Sequence, residues 1–246
     1  MDILALSWTV QPPAGMTQSS LNDAGTRLTQ YLSALLFYLR LPQVDQIFVF
    51  ENSGYDFTTL RILIGQVSGK VTFVSTSPDY DPTRGKGYGE FRMYDEGLAS
   101  VEIEPTARVW KITGRLIVKN LSEIIATAPA FDERPSLYCD LRRVPLVPSS
   151  VWGHWMDTRL FAFNVPFYDK HLRGQFGCNY TIEEGFFDIA HPLLKKNGAM
   201  IVPRFRCQPI YEGQSGNTMK SYLSGKHLAA HNARKITRRV APALWL

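Results

Sequence analysis

The first 75 residues alternate two hydrophobic patterns, and this alternation limits the fold more than any other feature of the chain. Ile3 to Val10 is a short apolar run, broken by Pro12, Pro13 and Gly15. From Gln18 to Leu41 the apolar positions Leu21, Leu28, Leu32, Leu35, Leu36 and Leu39 fall near helical spacing. Ser19, Ser20 and Asn22 offer N-caps for that helix. Gln46 to Phe50 reads as a buried strand, and Glu51-Asn52-Ser53-Gly54 as the turn after it. Asp56 to Gln66 reads as a second helix, capped by Asp56 or Thr58, and Val71 to Ser75 as a third strand. Connections this short between strand, helix and strand imply right-handed crossovers and a parallel sheet.

The remainder of the chain is less regular. The segment SPDYDPTRGKGYGE (77–90) is rich in Gly, Pro and Asp and reads as a loop. A helix is expected over about Glu90 to Ser100 and a strand over Arg108 to Ile112, interrupted at Thr113-Gly114-Arg115. A helix beginning near Asn120, a strand from Ser136 to Leu141 and a short strand from Leu160 to Phe163 follow. Then come a short helix from Phe167 to Leu172, a helix from Tyr180 to Lys195 and a last strand from Ala199 to Arg206. The tail from Ser221 to Val240 is basic and helical in pattern. The expectation is one α/β domain with a mostly parallel central sheet flanked by helices. It divides into a nucleotide-binding half (1–105), a donor-phosphate and acceptor half (106–220) and a basic helical tail (221–246).

Composition narrows the class. A hydrophobic fraction of 45% and a charged fraction of 20% are ordinary for a globular chain, and 246 residues suffice to bury a core without staples. Cys139, Cys178 and Cys207 form no CxxC pair, which argues against a disulfide framework and for a reducing compartment. The start lacks a basic n-region, and no run of about 20 apolar residues exists. Much of the net charge of +5 gathers at Lys220, Lys226, Arg234, Lys235, Arg238 and Arg239. A solvated helix face accounts for such a tail, as does an anionic membrane surface or a phosphate-rich ligand. No helix-turn-helix, zinc-finger or RNP pattern points to nucleic acid. The expected location is cytoplasmic, with peripheral contact at the inner face of the plasma membrane as the tail's functional reading.

In an open parallel sheet, ligands bind beyond the carboxyl ends of the strands. The residues there are Ser7, Trp8 and Thr9; Glu51, Asn52 and Ser53; Ser75 to Ser77; Lys111, Thr113, Gly114 and Arg115; and Asp140 with Arg142. Most are polar, which suits a ribose, a base edge and phosphates, although turns are polar in any case. In Gly85-Lys86-Gly87-Tyr88-Gly89-Glu90 the glycines allow close backbone approach, and Lys86 can meet a phosphate as a point charge. The Walker spacing is absent, so this is not a P-loop. In Lys111-Ile112-Thr113-Gly114-Arg115 two cations flank a turn at a strand end. Either a salt bridge to Asp140 or Glu90, or an anionic ligand, would justify them. Glu183, Glu184 and Asp188 stand at the front of a helix, where the helix dipole favours acids and a general base could also sit. The five histidines make no metal-binding spacing, and no GxSxG nucleophile motif is present.

The order of these segments resembles nucleotide-sugar glycosyltransferases of the type A fold, of the kind encoded with bacterial capsule and O-antigen synthesis. The matching pieces are Phe50 to Gly54, Gly85 to Glu90, Lys111 to Arg115 with Asn120, Asp157 to Tyr168, Asn179 to Asp188, and Gly213 to Gly216. The resemblance implies a Rossmann-like sheet that holds a nucleotide-sugar donor and a saccharide or lipid-linked saccharide acceptor. Ser7 to Thr9 and Glu51 to Ser53 would hold the nucleoside, and Lys86, Gly87 and Glu90 would lie along the donor. Many such enzymes bind the diphosphate through a DxD motif and Mg2+ or Mn2+. Here Lys111 to Arg115 take that place, so the cations, Arg115 included, would stabilise the departing phosphate instead. Asp140 is the acid there that could hold a metal. Glu183 or Glu184 would deprotonate the acceptor. A sugar-phosphate nucleotidyltransferase and a non-catalytic polyanion-binding protein are the alternatives.

Overall fold

The computed structural model describes residues 1–14, 22–143, 154–175, 181–196, 199–214 and 225–240, without the side chains of 225–230 and 239. The expectations at Gly15, Ser19, Ser20, Leu21, Asn179, Tyr180, Ser215-Gly216 and Lys220, and at the side chains of Lys226 and Arg239, lie outside those residues.

The expected alternation is present. β1 (Asp2–Trp8), α1 (Ala24–Leu39), β2 (Gln46–Glu51), α2 (Thr58–Val67) and β3 (Val71–Ser75) follow in order. After a 3-10 turn at Pro82–Arg84 come α3 (Lys86–Ala99), β4 (Arg108–Thr113), β5 (Ile117–Val118) and α4 (Leu121–Thr127). Next are β6 (Ser136–Tyr138), β7 (Leu141–Arg143), β8 (His154–Met156) and β9 (Leu160–Phe163). α5 (Val165–Phe167) runs into a π-turn at Tyr168–Leu172, and α6 (Ile182–Leu193), β10 (Met200–Val202), β11 (Tyr211–Glu212) and α7 (Gly225–Val240) complete the order.

Seven strands form the main sheet in the order β10-β6-β9-β4-β1-β2-β3. The pairs β1–β2, β1–β4, β2–β3 and β6–β10 are parallel, and β9 runs antiparallel to both β4 and β6. β1 sits at the centre and every one of its residues is buried, as both-face coverage requires. Alternate residues feed two cores. Leu4, Leu6 and Trp8 pack with Tyr31, Leu35 and Tyr38 of α1 and Leu121, Ile124 and Ile125 of α4. Ile3 and Ala5 face Phe91, Tyr94 and Leu98 of α3 and Phe186, Phe187 and Ala190 of α6. The result is helices on both faces of a mostly parallel sheet.

Several boundaries differ from expectation. α1 begins at Ala24, where the Asp23 carboxylate caps it by accepting from Thr26 N at 2.7 Å, and the expected start at Gln18 lies outside the described residues. α2 is preceded by Asp56, whose carboxylate accepts from Thr58 N at 2.9 Å, so the acid lies just outside the helix. The strand expected over 136–141 splits into β6 and β7, and the one over 199–206 shortens to β10. The two segments stay joined past the strand ends, by Cys139 N to Val202 O at 3.1 Å and Leu141 N to Pro203 O at 2.9 Å, and Phe205 N then donates to the Asp140 carboxylate at 3.0 Å.

Candidate functional site

Parallel pairing brings the carboxyl ends of β1, β2 and β4 to one edge, with Trp8 opposite Glu51 and Ser7 opposite Thr113. α3 lies over that edge and sends Glu90 to it. Ser7 Oγ donates to Glu90 Oε1 at 2.6 Å, and Lys111 Nζ lies 2.7 Å from the same oxygen. Lys111 also donates to Thr158 O at 2.6 Å and to Thr113 Oγ1 at 3.1 Å. An ammonium has three donors, so these partners use them all. The side chain is wholly enclosed, with the rings of Phe91 and Tyr94 at 5.4 and 5.9 Å. The expected bridge from β4 therefore forms to Glu90, and Lys111 is a buried positioning group with no donor left for a phosphate. Burial opposes ionisation of Glu90, but Lys111, Ser7 and Lys86 together outweigh it and hold the carboxyl below its ordinary value.

The end of β2 is tied as closely. Glu51 is fully buried and accepts from Val10 N and Tyr55 N, both at 3.2 Å, and from the Ser53 hydroxyl. Ser53 Oγ in turn accepts from Gln11 N at 2.9 Å. Thr9 Oγ1 donates to Asn52 Oδ1 at 2.7 Å, and Asn52 Nδ2 donates to Gly89 O at 3.0 Å. Arg27, from α1, closes the group by donating to Thr9 O at 2.6 Å and to the Tyr31 hydroxyl at 3.1 Å.

The glycine-rich segment is not the loop that its composition suggests. Lys86-Gly87-Tyr88-Gly89 is the first turn of α3. The glycines there meet protein: Gly87 faces Ile182, and a Cβ on Gly89 would stand 2.5 Å from the Tyr80 ring. Gly114 is equally confined. Its N–H donates to Ser7 O at 3.2 Å, and a Cβ would come within 2.4 Å of that oxygen. Lys86 is exposed at the edge. Desolvation lowers its pKa, Glu90 and Glu183 oppose that, and the cations Arg115 and Lys111 add to it. Arg115, half-buried, donates to Gln30 Oε1 at 3.2 Å.

The paired glutamates part company. Glu184 closes a capping box with Thr181: its carboxylate accepts from Thr181 N at 3.3 Å, and Thr181 Oγ1 accepts from Glu184 N at 3.3 Å. That removes Glu184 from the site, and the signature Thr-x-x-Glu was readable in the sequence. Glu183 points inward instead and accepts from Thr158 Oγ1 at 3.4 Å, beside the Lys86 charge. Asp188 pairs with His154 at 3.1 Å.

Asp140 is also corrected. It is 2% exposed and accepts from Phe205 N and from the Arg238 guanidinium of α7. Its oxygens are thus committed to protein donors, and no group of three or more His, Cys, Asp or Glu side chains suited to a metal exists among the described residues. The residues present do not fit Mg2+ or Mn2+ at this place. The sequence reading missed Arg27, Tyr80 and Thr158, which reach the edge from distant segments without a motif, and Arg238, which it left on the surface.

No family model matches the chain, and no curated protein matches its sequence. Among solved structures the chain is similar to the inositol-1-phosphate CTP transferase from T. maritima, with a TM-score of 0.48 and 11% identity over 96% of both chains. It is similar to the 4-diphosphocytidyl-2C-methyl-D-erythritol synthase of Anaerococcus prevotii, with a TM-score of 0.43 and 12% identity over 94% of this chain and 95% of that one. It is also similar to the glycosyltransferase GlyE of Streptococcus pneumoniae, with a TM-score of 0.42 and 11% identity over 81% of this chain and 44% of that one. These neighbours include nucleotidyltransferases and glycosyltransferases, and similarity at this level assigns the chain to neither.

Proposed function

We propose that the chain is a glycosyltransferase that moves a sugar from a nucleotide-activated donor to a saccharide or lipid-linked saccharide acceptor in surface polysaccharide synthesis. The observation that carries this reading is the edge at which Glu183 accepts from Thr158 Oγ1 at 3.4 Å, on the residue whose carbonyl holds Lys111, beside the polar ends of β1 and β2. In it, Thr9, Asn52 and Ser53 face the nucleoside. Lys86 and Arg115 take up the charge that develops on the departing nucleoside diphosphate as the glycosyl–oxygen bond breaks. Glu183 accepts the proton of the attacking hydroxyl. Lys111 acts through Glu90 and Ser7, whose positions it fixes.

Purified protein incubated with UDP-, GDP-, dTDP- and CMP-linked sugars tests the reading. Donor hydrolysis or transfer that Glu183→Gln loses, with donor binding retained, supports it. No binding or turnover across the panel overturns it. Pyrophosphate release from a nucleoside triphosphate and a sugar phosphate replaces it with nucleotidyl transfer.

A further inference from the structure

The turn between β8 and β9 holds one residue, Thr158, by contacts on both of its sides. Asp157 N donates to Asp140 O at 2.9 Å, and Arg159 O accepts from Thr113 N at 3.1 Å. The Asp157 carboxylate accepts from Arg159 N at 3.2 Å, which closes an Asx turn with Thr158 at its centre. Arg142 Nη2 at 2.5 Å, Arg159 Nε at 2.8 Å and Arg159 Nη2 at 2.5 Å hold the same carboxylate, which is 5% exposed. The turn cannot open without leaving that charge buried and unpaired.

Thr158 is itself 7% exposed, and its two polar groups serve two different elements. Its carbonyl accepts from Lys111 Nζ at 2.6 Å, in the cluster at the end of β4. Its hydroxyl donates to Glu183 Oε1 at 3.4 Å, at the head of α6. That is the one hydrogen bond of the Glu183 side chain among the described residues. A glutamate side chain has several rotamers to choose from, and a single tether to a rigid turn selects among them. One carboxylate oxygen is then engaged, and the other keeps its lone pairs for a proton.

We propose that Thr158 is a positioning residue for Glu183, held for that task by the Asp157 turn. The proposal rests on the reading of Glu183 as the base that takes the acceptor's proton. Thr158 touches no reacting atom in it. The hydroxyl fixes Oε1, and Oε2 receives the proton as the acceptor oxygen bonds to the sugar and the glycosyl–phosphate bond breaks. Because the same residue holds Lys111, the donor-side cluster and the base keep one spacing.

Thr158→Val removes the hydroxyl, keeps the shape of the side chain and leaves the carbonyl for Lys111. With the donor that the sugar panel identifies, this variant is expected to lose about tenfold or more in kcat, the worth of a hydrogen bond to a charged group, with donor KM and Tm kept. Thr158→Ser, which returns the hydroxyl without the methyl, is expected to recover most of that loss. Wild-type kcat in Thr158→Val overturns the proposal. So does Thr158→Ser as slow as Thr158→Val, or a loss of kcat that comes with a raised donor KM and a lowered Tm, since either marks packing as the cause.

Carboxyl labelling with a carbodiimide and glycine ethyl ester, read by mass spectrometry on the folded full chain, needs no substrate. Glu183 is expected to label faster in Thr158→Val than in wild type or Thr158→Ser, while Glu184, held in its capping box, is unchanged. Transfer activity with neither response keeps the sugar-transfer reading and overturns the role of Thr158. No turnover on any donor, with the labelling response present, removes that reading and supports the hold of Thr158 on Glu183.

Discussion

Lys111 Nζ and Glu90 Oε1 lie 2.7 Å apart, with Lys111 completely enclosed and Glu90 retaining 22% side-chain exposure. One strand and one helix are joined at that point, and Ser7 of the central strand shares the same oxygen. Replacing Lys111 with Met leaves the carboxylate without its counterion in a mostly dry place. The expected loss is about 3 kcal/mol of stability, at the low end for breaking a buried pair because Glu90 keeps some water. Urea denaturation measures it. The double change Lys111→Met with Glu90→Gln is expected to recover much of the loss, and no recovery would show that Lys111 acts through packing alone.

Acid should weaken the fold through two carboxyls. Burial opposes ionisation at Asp157 as it does at Glu90, yet the paired Arg159 and Arg142 hold it far below the ordinary value of 3.8, and Glu90 sits below 4.5. The folded chain therefore binds fewer protons than the unfolded chain in acid. Their stabilisation is complete above those ordinary values and fades as pH falls through the lowered ones. The denaturation midpoint is expected to drop between pH 6 and about pH 3. Glu90→Gln should flatten part of that drop, and an unchanged slope would remove Glu90 from the account.

Gly114→Ala is expected to cost about 2 kcal/mol or more, as overpacking does. The added Cβ would meet Ser7 O at 2.4 Å, and both partners are backbone held by strand pairing. Because Ser7 also holds Glu90, nucleotide affinity should fall together with Tm. A stable variant with normal affinity would show that the β1–β4 junction yields easily.

Glu183 and Glu184 make opposite predictions. Glu184→Ala removes the capping-box acceptor and should cost about 1 kcal/mol of stability, with turnover kept. Glu183→Gln should leave stability alone and cut transfer about 100-fold or more, the usual worth of a positioned general base. Parallel thermal melts and single-turnover assays separate the two, and the reverse pattern would exchange their roles.

What could be read from the sequence follows from how local each cause is. The half from β1 to β4 was legible because each strand is a continuous apolar run and each helix carries its own stripe. The segment 86–89 was misread because glycine composition signals loop, whereas Tyr80 and Ile182 pack against those glycines and hold a helical turn. Polar strand ends at Ser7, Thr9, Asn52 and Lys111 were found by position. Their partners Arg27 and Thr158 were not, since 18 residues separate Arg27 from Thr9 and 47 separate Thr158 from Lys111.

The basic tail gives the sharpest reversal. A solvated or membrane-facing helix could be removed without harm to the body of the fold. Arg238, however, has only 7% side-chain exposure, and Asp140 only 2%. Deleting residues 225–246, or changing Arg238 to Ala, leaves Asp140 buried with Phe205 N as its remaining described donor. Loss of one partner from a buried pair costs about 3–5 kcal/mol, so Tm should fall by many degrees. Asp140→Asn in the Arg238→Ala background is expected to restore part of that loss, because the uncompensated charge is gone while Phe205 N keeps an acceptor. If Arg238→Ala melts like wild type, α7 does not brace the sheet edge, and the tail returns to being a surface helix.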